Sequence, residues 1–245
     1  MGLFSRKKPK IWTTPGGIAS GVCTDILHQP HCIIAGTTGS GKSAIIDALI
    51  YTILFDAPSE SKMVLIDPKR VQLYQYRKLP HVMRYASEQD DIIYTIDCCV
   101  DKMEQRYTDM QRRGLRQWDG AQIYIIIDEY ADLVTTSRTR IKSPIVRIAQ
   151  LGRAAGMHLI IATQRPTSDI IDGQIKCNID ARIALRCPTA RDSRNIINMS
   201  GAERLPKVGE CYYLTPDTLD PILIDAPYYT DAQLQQQLQW WLDQL

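Results

Sequence analysis

The sequence predicts an α/β fold with a mostly parallel central sheet flanked by helices. Three stretches carry that prediction. His31-Cys32-Ile33-Ile34-Ala35 is a short apolar run that passes directly into a glycine-rich turn and then a helical pattern. Ile123-Tyr124-Ile125-Ile126-Ile127 is apolar throughout, as a strand buried on both faces of a parallel sheet must be. His158-Leu159-Ile160-Ile161-Ala162-Thr163-Gln164 has the same character and ends in polar groups.

Taken in order, residues 1–29 form a short basic arm and lead-in with Arg6, Lys7, Lys8 and Lys10, followed by Thr13-Thr14-Pro15-Gly16-Gly17. Such a segment reads as a solvated tail, with contact to nucleic acid as the sharper alternative. Residues 30–245 form the main domain. Its first strand ends in Gly36-Thr37-Thr38-Gly39-Ser40-Gly41-Lys42-Ser43, and the helical pattern begins at Ala44. That is the Gly-x-x-x-x-Gly-Lys-Ser phosphate loop in its required strand–loop–helix setting. The glycines let successive N–H groups converge on one anion, and the helix adds the positive end of its dipole. Lys42 is expected at the β- and γ-phosphates and Ser43 on Mg²⁺.

The helix is expected to run from Ala44 to Phe55 and stop near Ala57-Pro58. Met63 to Asp67 is a buried strand closed by Pro68, and Asp67-Pro68-Lys69-Arg70 sets one acid and two bases at its C-terminal end. In open α/β sheets that edge faces the ligand crevice, so a charged strand exit and a functional role are equally good readings. Ser87 is the expected cap of a long amphipathic helix through Ile92, Ile96, Met103 and Met110, ended by Gly114. The run from Ile123 then ends in Asp128 and Glu129. Beside a phosphate loop, Asp128 fits the Mg²⁺ shell and Glu129 a residue that polarises a water against the γ-phosphate.

Ser143 to Ala155 is expected to be a helix with Pro144 in its first turn and Gly156 closing it. Arg147 and Arg153 fall off its buried side. Gln164, at the end of the next strand, is either a γ-phosphate sensor or an ordinary strand-end residue. Further strands are expected at 181–186, 210–214 and 222–224, a helix at 190–199, and a last helix capped by Thr230 or Asp231.

Composition narrows the setting. The chain has 245 residues, 44% apolar and 23% charged, with a formal charge of +2, so any nucleic-acid surface must be a local patch. Seven cysteines, none in a C-x-x-C pair, suit free thiols in a reducing cytoplasm rather than a disulfide frame or a zinc site. No apolar run approaches a membrane span, and the start lacks a myristoylation signal.

Several stretches together resemble the motor domain of the FtsK/SpoIIIE DNA translocases, in the HerA–FtsK group of P-loop ATPases. They are Ala35 to Ser43, Leu65-Ile66-Asp67-Pro68-Lys69, Leu79-Pro80-His81, Ile127-Asp128-Glu129-Tyr130-Ala131-Asp132-Leu133 and Arg153-Ala154-Ala155-Gly156-Met157-His158-Leu159. Ala162-Thr163-Gln164-Arg165-Pro166, Ile183-Ala184-Leu185, Asp192-Ser193-Arg194 and Gly201-Ala202-Glu203 follow in family order. The resemblance implies a RecA-like fold of the ASCE type, ATP and Mg²⁺ as ligands, a homo-hexameric ring, and movement along double-stranded DNA. It also implies that Lys42 and Ser43 bind phosphate and metal, that Asp128 and Glu129 are the Walker B pair, and that Gln164 is a sensor. Arg153 matches the arginine offered to a neighbour's nucleotide. The sequence shows no membrane segment, a lead-in of about twenty-five residues where the family has a further domain, and no winged helix. The expectation is therefore a cytoplasmic motor serving a mobile element, plasmid or phage, with genome packaging and conjugative transfer as related jobs. A small-molecule kinase or regulatory NTPase is the alternative of a different class, and an ATP-binding adaptor without turnover a third. Glu129 beside Asp128 argues against both.

Overall fold

A computed structural model describes residues 29–55, 61–206, 208–218, 220–226 and 230–243. The basic arm, Cys23, and the expected helix stop near Ala57-Pro58 lie outside these residues. The strands are β1 (His31–Ala35), β2 (Lys62–Ile66), β3 (Val82–Ala86), β4 (Ile123–Ile127), β5 (Met157–Thr163), β6 (Ala181–Ala184), β7 (Glu210–Leu214) and β8 (Ile222–Asp225). The helices are α1 (Lys42–Phe55), α2 (Gln89–Arg113), α3 (Tyr130–Leu151), α4 (Gly173–Lys176), α5 (Ala190–Ile197) and α6 (Asp231–Leu242).

The strands form one eight-stranded sheet in the order β3-β2-β4-β5-β1-β6-β7-β8. It is parallel from β3 to β6, and β7 and β8 add antiparallel at one edge. β4 shows why the middle is so apolar. Ile123, Ile125 and Ile127 point to one face, packing with Ile92, Ile96 and Met103 of α2 and with Ile145 and Ile148 of α3. Tyr124 and Ile126 point to the other, with Ile45, Leu49 and Ile53 of α1. A strand with a core on each side has no solvent face, so the polar alternation of a half-exposed strand is missing. Each such side chain contributes roughly 1.5–3 kcal/mol of burial.

The strand order fixes the site. β5 lies between β1 and β4, with Ala35 level with Thr163 and Ile127 level with Ile161. The C-terminal tips of three parallel strands therefore stand side by side, and the loops leaving them share one edge of the sheet.

Three local expectations are corrected. The helix expected from Ser143 starts at Tyr130, is broken at Ser137 (φ −146°, ψ 40°), and ends at Leu151 before Gly152, not at Ala155. Pro144 lies inside it rather than in its first turn. It forfeits one backbone hydrogen bond there, but Ile141, Ile145 and Ile148 keep the helical stripe buried across it. The cap of α2 is Glu88 rather than Ser87, with no side-chain cap bond; Asp90 and Asp91 in the first turn complement the helix dipole instead. Finally, β3 was not expected: its Val-Met-Arg-Tyr-Ala alternates only weakly, as an edge strand with Met83 exposed can. Gly114 (φ +66°) and Thr230 do terminate and cap α2 and α6 as expected.

Candidate active site

The phosphate loop begins where β1 ends. Gly36 is pressed against its own loop: a Cβ there would meet Ser40 Oγ at 2.5 Å and Leu185 Cβ at 2.6 Å. Gly41 takes φ +105°, a conformation that L side chains rarely adopt, immediately before α1 starts at Lys42. Thr37 is tied down by its N–H and hydroxyl, both donated to the Arg186 carbonyl at 2.8 and 3.2 Å. Thr38 and Gly39 are exposed at the crest, and Ser40 closes the turn through its N–H to Thr37 O. At the start of α1 the N–H groups of Lys42, Ser43 and Ala44 have no intrahelical acceptor. Ser43 is exposed beside them, whereas Lys42 is buried.

Lys42 reaches across β5 to the tip of β4. Its Nζ donates to Asp128 Oδ1 at 2.6 Å and to the Asp128 carbonyl at 2.7 Å. Both side chains are 7% exposed, so this is a desolvated pair held by two short contacts. Glu129 is buried further in. Thr163 Oγ1 donates to its Oε1 at 2.7 Å, the Gln164 N–H reaches both oxygens at 3.1 and 3.2 Å, and Lys69 Nζ lies 3.4 Å from Oε2. The Gln164 side chain turns the other way, to Thr38: the threonine hydroxyl donates to Oε1 at 2.7 Å. Gln164 thus connects the phosphate loop and the carboxylate through a single residue.

The donor set fits a nucleoside triphosphate with Mg²⁺. Ser40 Oγ is buried within the loop with no hydrogen-bond partner, and the helix-start N–H groups that follow it in the chain add further donors. Ser43 and Asp128 would hold the metal, which when bound neutralises charge building between the β- and γ-oxygens. Lys42 would exchange Asp128 for phosphate oxygens, and Glu129, the next carboxylate in the chain, would be the base available to a water.

The structure thus brings together Gly36 to Ala44, Asp128, Glu129 and Gln164. It does not bring Arg153 to them. Arg153 lies in the turn before β5, at the opposite end of the sheet, exposed to solvent. Sequence reasoning missed Thr163 as a donor to Glu129 and Asp132 as a second acid 3.6 Å from Lys69 Nζ. Their signal is positional, because only the strand order places Thr163 opposite Glu129.

Beyond Gln164 the chain runs through Arg165 and Pro166 into a cleft of about 420 Å³ whose lining carries three cations, Lys176, Arg191 and Arg194, and two acids, Asp169 and Asp192. The Thr167 hydroxyl, then a backbone N–H, hold the Asp169 carboxyl below its usual range, with smaller help from the charges of Arg138 and Arg165.

A family model described as the FtsK/SpoIIIE family matches residues 6–123 and 120–168. The DNA translocase FtsK of Pseudomonas syringae pv. tomato is 35% identical over 257 residues, covering 90% of this chain and 32% of the relative. DNA translocase FtsK 2 of Neisseria meningitidis serogroup A is 34% identical over 267 residues, covering 94% of this chain and 26% of the relative. The chain spans about a quarter to a third of the length of these curated relatives. Among solved structures, the pCW3 conjugation coupling protein TcpA, in a monomer form with ATPγS, has a TM-score of 0.77 at 26% identity over 88% of this chain and 66% of that one. The cytoplasmic domain of the Thermomonospora curvata type VII secretion ATPase EccC has a TM-score of 0.72 at 23% identity, over 82% of this chain and 26% of that one, which speaks for the fold alone. No described helix is long and apolar enough to cross a membrane.

Proposed function

The chain belongs to the FtsK/SpoIIIE family of P-loop ATPases, and from that premise we propose that it is an ATP-driven motor acting on double-stranded DNA. Lys42 and Ser43 bind the triphosphate and its metal, Asp128 completes the metal shell, Glu129 activates the water and Gln164 senses the γ-phosphate. Arg153 serves a neighbouring subunit rather than its own, since it is exposed at the far end of the sheet. That role needs assembly into a ring, for which six copies is the family expectation.

The observation that carries this reading is the continuity of the chain from Thr163 to Lys176. Two successive residues touch Glu129, the second also touches the phosphate loop, and the next few enter a cleft bearing Lys176, Arg191 and Arg194. A change at the γ-phosphate therefore has a path of few bonds to a surface suited to backbone phosphates. Such contacts position the protein without reading sequence. Service to a plasmid, phage or other mobile element is the biological setting we favour, and the likeness to a conjugation coupling protein supports plasmid transfer in particular.

The test is ATP turnover with and without double-stranded DNA across a salt series. The expected result is stimulation that declines as salt rises, because binding rests on neutralised phosphates. Turnover indifferent to DNA, or phosphorylation of a metabolite, would overturn the motor reading.

A further inference from the structure

Four charged residues lead outward from the site, and the last of them, Arg165, acts by its charge on Asp169 of the cleft. Lys69 Nζ lies 3.4 Å from Glu129 Oε2 and 3.6 Å from Asp132 Oδ2. Asp132 Oδ1 lies 3.4 Å from Arg165 Nη2, which also donates to Thr135 Oγ1 at 3.1 Å. Glu129 is the buried end of this chain, with 2% of its side chain exposed, and Arg165 the open end, with 54%. The sequence set Lys69 apart as a base at a strand tip, and the nucleotide chemistry above leaves it without a task.

Two features give it one. Lys69 is almost equidistant from two carboxylates, at lengths well beyond the 2.7–2.9 Å of a tight charge-assisted bond, so neither acid holds it firmly. Its backbone, by contrast, is fixed: the buried Asp67 carboxylate accepts the Leu73 N–H at 2.9 Å, and the turn closes with Arg70 N–H on the Asp67 carbonyl. Only the side chain is free to swing. Glu129, meanwhile, has both oxygens engaged by Thr163, the Gln164 N–H and Lys69, which leaves little of its acceptor capacity for a water. Of these donors Lys69 is the one that reaches Glu129 from the solvent side, with 40% of its side chain exposed.

We infer that Lys69 is a positioning residue that restrains Glu129, and that Asp132 and Arg165 relay to it the arrival of a phosphate at Arg165, beside the cleft. The inference rests on the reading of Glu129 as the water-activating acid and of the cleft as a DNA contact. When a backbone phosphate engages Arg165, Asp132 loses one of its two cations and draws Lys69 more strongly. The ammonium shifts from Glu129 to Asp132, and Glu129 Oε2 is left open to accept a hydrogen bond from water. No covalent bond changes and no proton leaves Lys69; one cation moves between two acids.

The experiment compares ATP turnover of wild type, Lys69→Met, Lys69→Arg and Asp132→Asn, each with and without double-stranded DNA. Melting temperature, affinity for a fluorescent ATP analogue and DNA affinity by anisotropy are measured in parallel. Lys69→Met is expected to raise DNA-free kcat by about five-fold or more with KM for ATP within about two-fold, and to bring the stimulation factor close to 1. Lys69→Arg keeps the cation and is expected to keep DNA-free turnover low. Asp132→Asn removes the competing acid, so DNA still binds but no longer stimulates. DNA-free turnover of Lys69→Met at or below wild type, or full stimulation of Asp132→Asn, overturns the relay. Should Lys69→Met melt early, Asp132→Asn decides alone. Wild type that ignores DNA overturns relay and motor reading together; wild type that responds while the variants disobey overturns the relay only.

Discussion

The two ends of the central strands are both rich in polar side chains, yet they use them in opposite ways. At the N-terminal end, buried Arg106 donates to the carbonyls of Ala155, Gly156 and Ala121 at 2.7, 2.9 and 2.6 Å and lies over the Trp118 ring. These carbonyls sit just ahead of β5 and β4, so the guanidinium pins the entries of both strands. Burial lowers its pKa to about 10, and it stays charged at neutral pH. His31, at the start of β1, accepts the Leu159 N–H through Nδ1 at 3.0 Å. Every one of these polar contacts is to backbone, which cannot leave. At the C-terminal end each of these charges has, besides any neutral partners, an ionised side chain as partner: Lys42 with Asp128, Lys69 with Glu129 and Asp132. Side-chain partners can be exchanged for a ligand's oxygens. The difference teaches that a buried charge is structural or functional according to what it is bonded to, not how deeply it is buried.

That contrast is sharpened by four substitutions. The largest effect is expected for Arg153→Ala, the one exposed arginine near the structural end assigned a chemical task. Loss of a finger supplied by a neighbour lowers turnover by about 10³–10⁵. Mixing Arg153→Ala with Glu129→Gln subunits is expected to recover activity above either alone; no recovery removes the trans role. Glu129→Gln by itself is expected to keep ATP affinity while turnover falls about 10²–10⁴-fold, read by single-turnover hydrolysis.

At the other end the expected effects are on stability. Arg106→Leu strands three carbonyls and is expected to cost about 3 kcal/mol in urea unfolding, with ATP affinity of the folded protein unchanged. A loss of affinity without loss of stability would erase the distinction between the ends. The smallest effect concerns His31. Burial, reinforced by the nearby charge of His158, lowers its pKa from 6.5 to about 3, so the folded state favours the neutral ring. Its contribution is complete above pH 6.5 and fades as pH falls from there toward 3. Stability is expected to drop by about 2 kcal/mol between neutrality and pH 5, and His31→Gln to flatten that part of the profile. A wild-type profile without that fall would mean the ring is not held neutral.

Much of the site was legible in the chain because it is contiguous. Gly36 to Ser43 announces itself, since the loop, its glycine conformations and the following helix are all set by near neighbours. Asp128 and Glu129 follow an unbroken apolar strand, so their place at a strand tip could be read from Ile123 to Ile127. Pro144 reads locally as the mark of a helix start, whereas buried Ile141, Ile145 and Ile148 on both sides carry the helix through it. β3 was missed because an edge strand is half exposed and its pattern is faint. Thr163 and Lys69 had no readable partner, being 34 and 60 residues from Glu129, and Asp132 is 63 and 33 residues from its partners Lys69 and Arg165.

By itself the sequence determined the phosphate loop, the acid pair and the buried strands, because glycine geometry, helix starts and apolar runs act over a few adjacent residues. The tertiary structure alone decided that β5 stands between β1 and β4, that Lys69 is shared by two acids, and that Arg153 faces away from its own site. Those facts follow from hydrogen-bond pairing between strands far apart in the chain, and no local pattern encodes which strand will lie beside which.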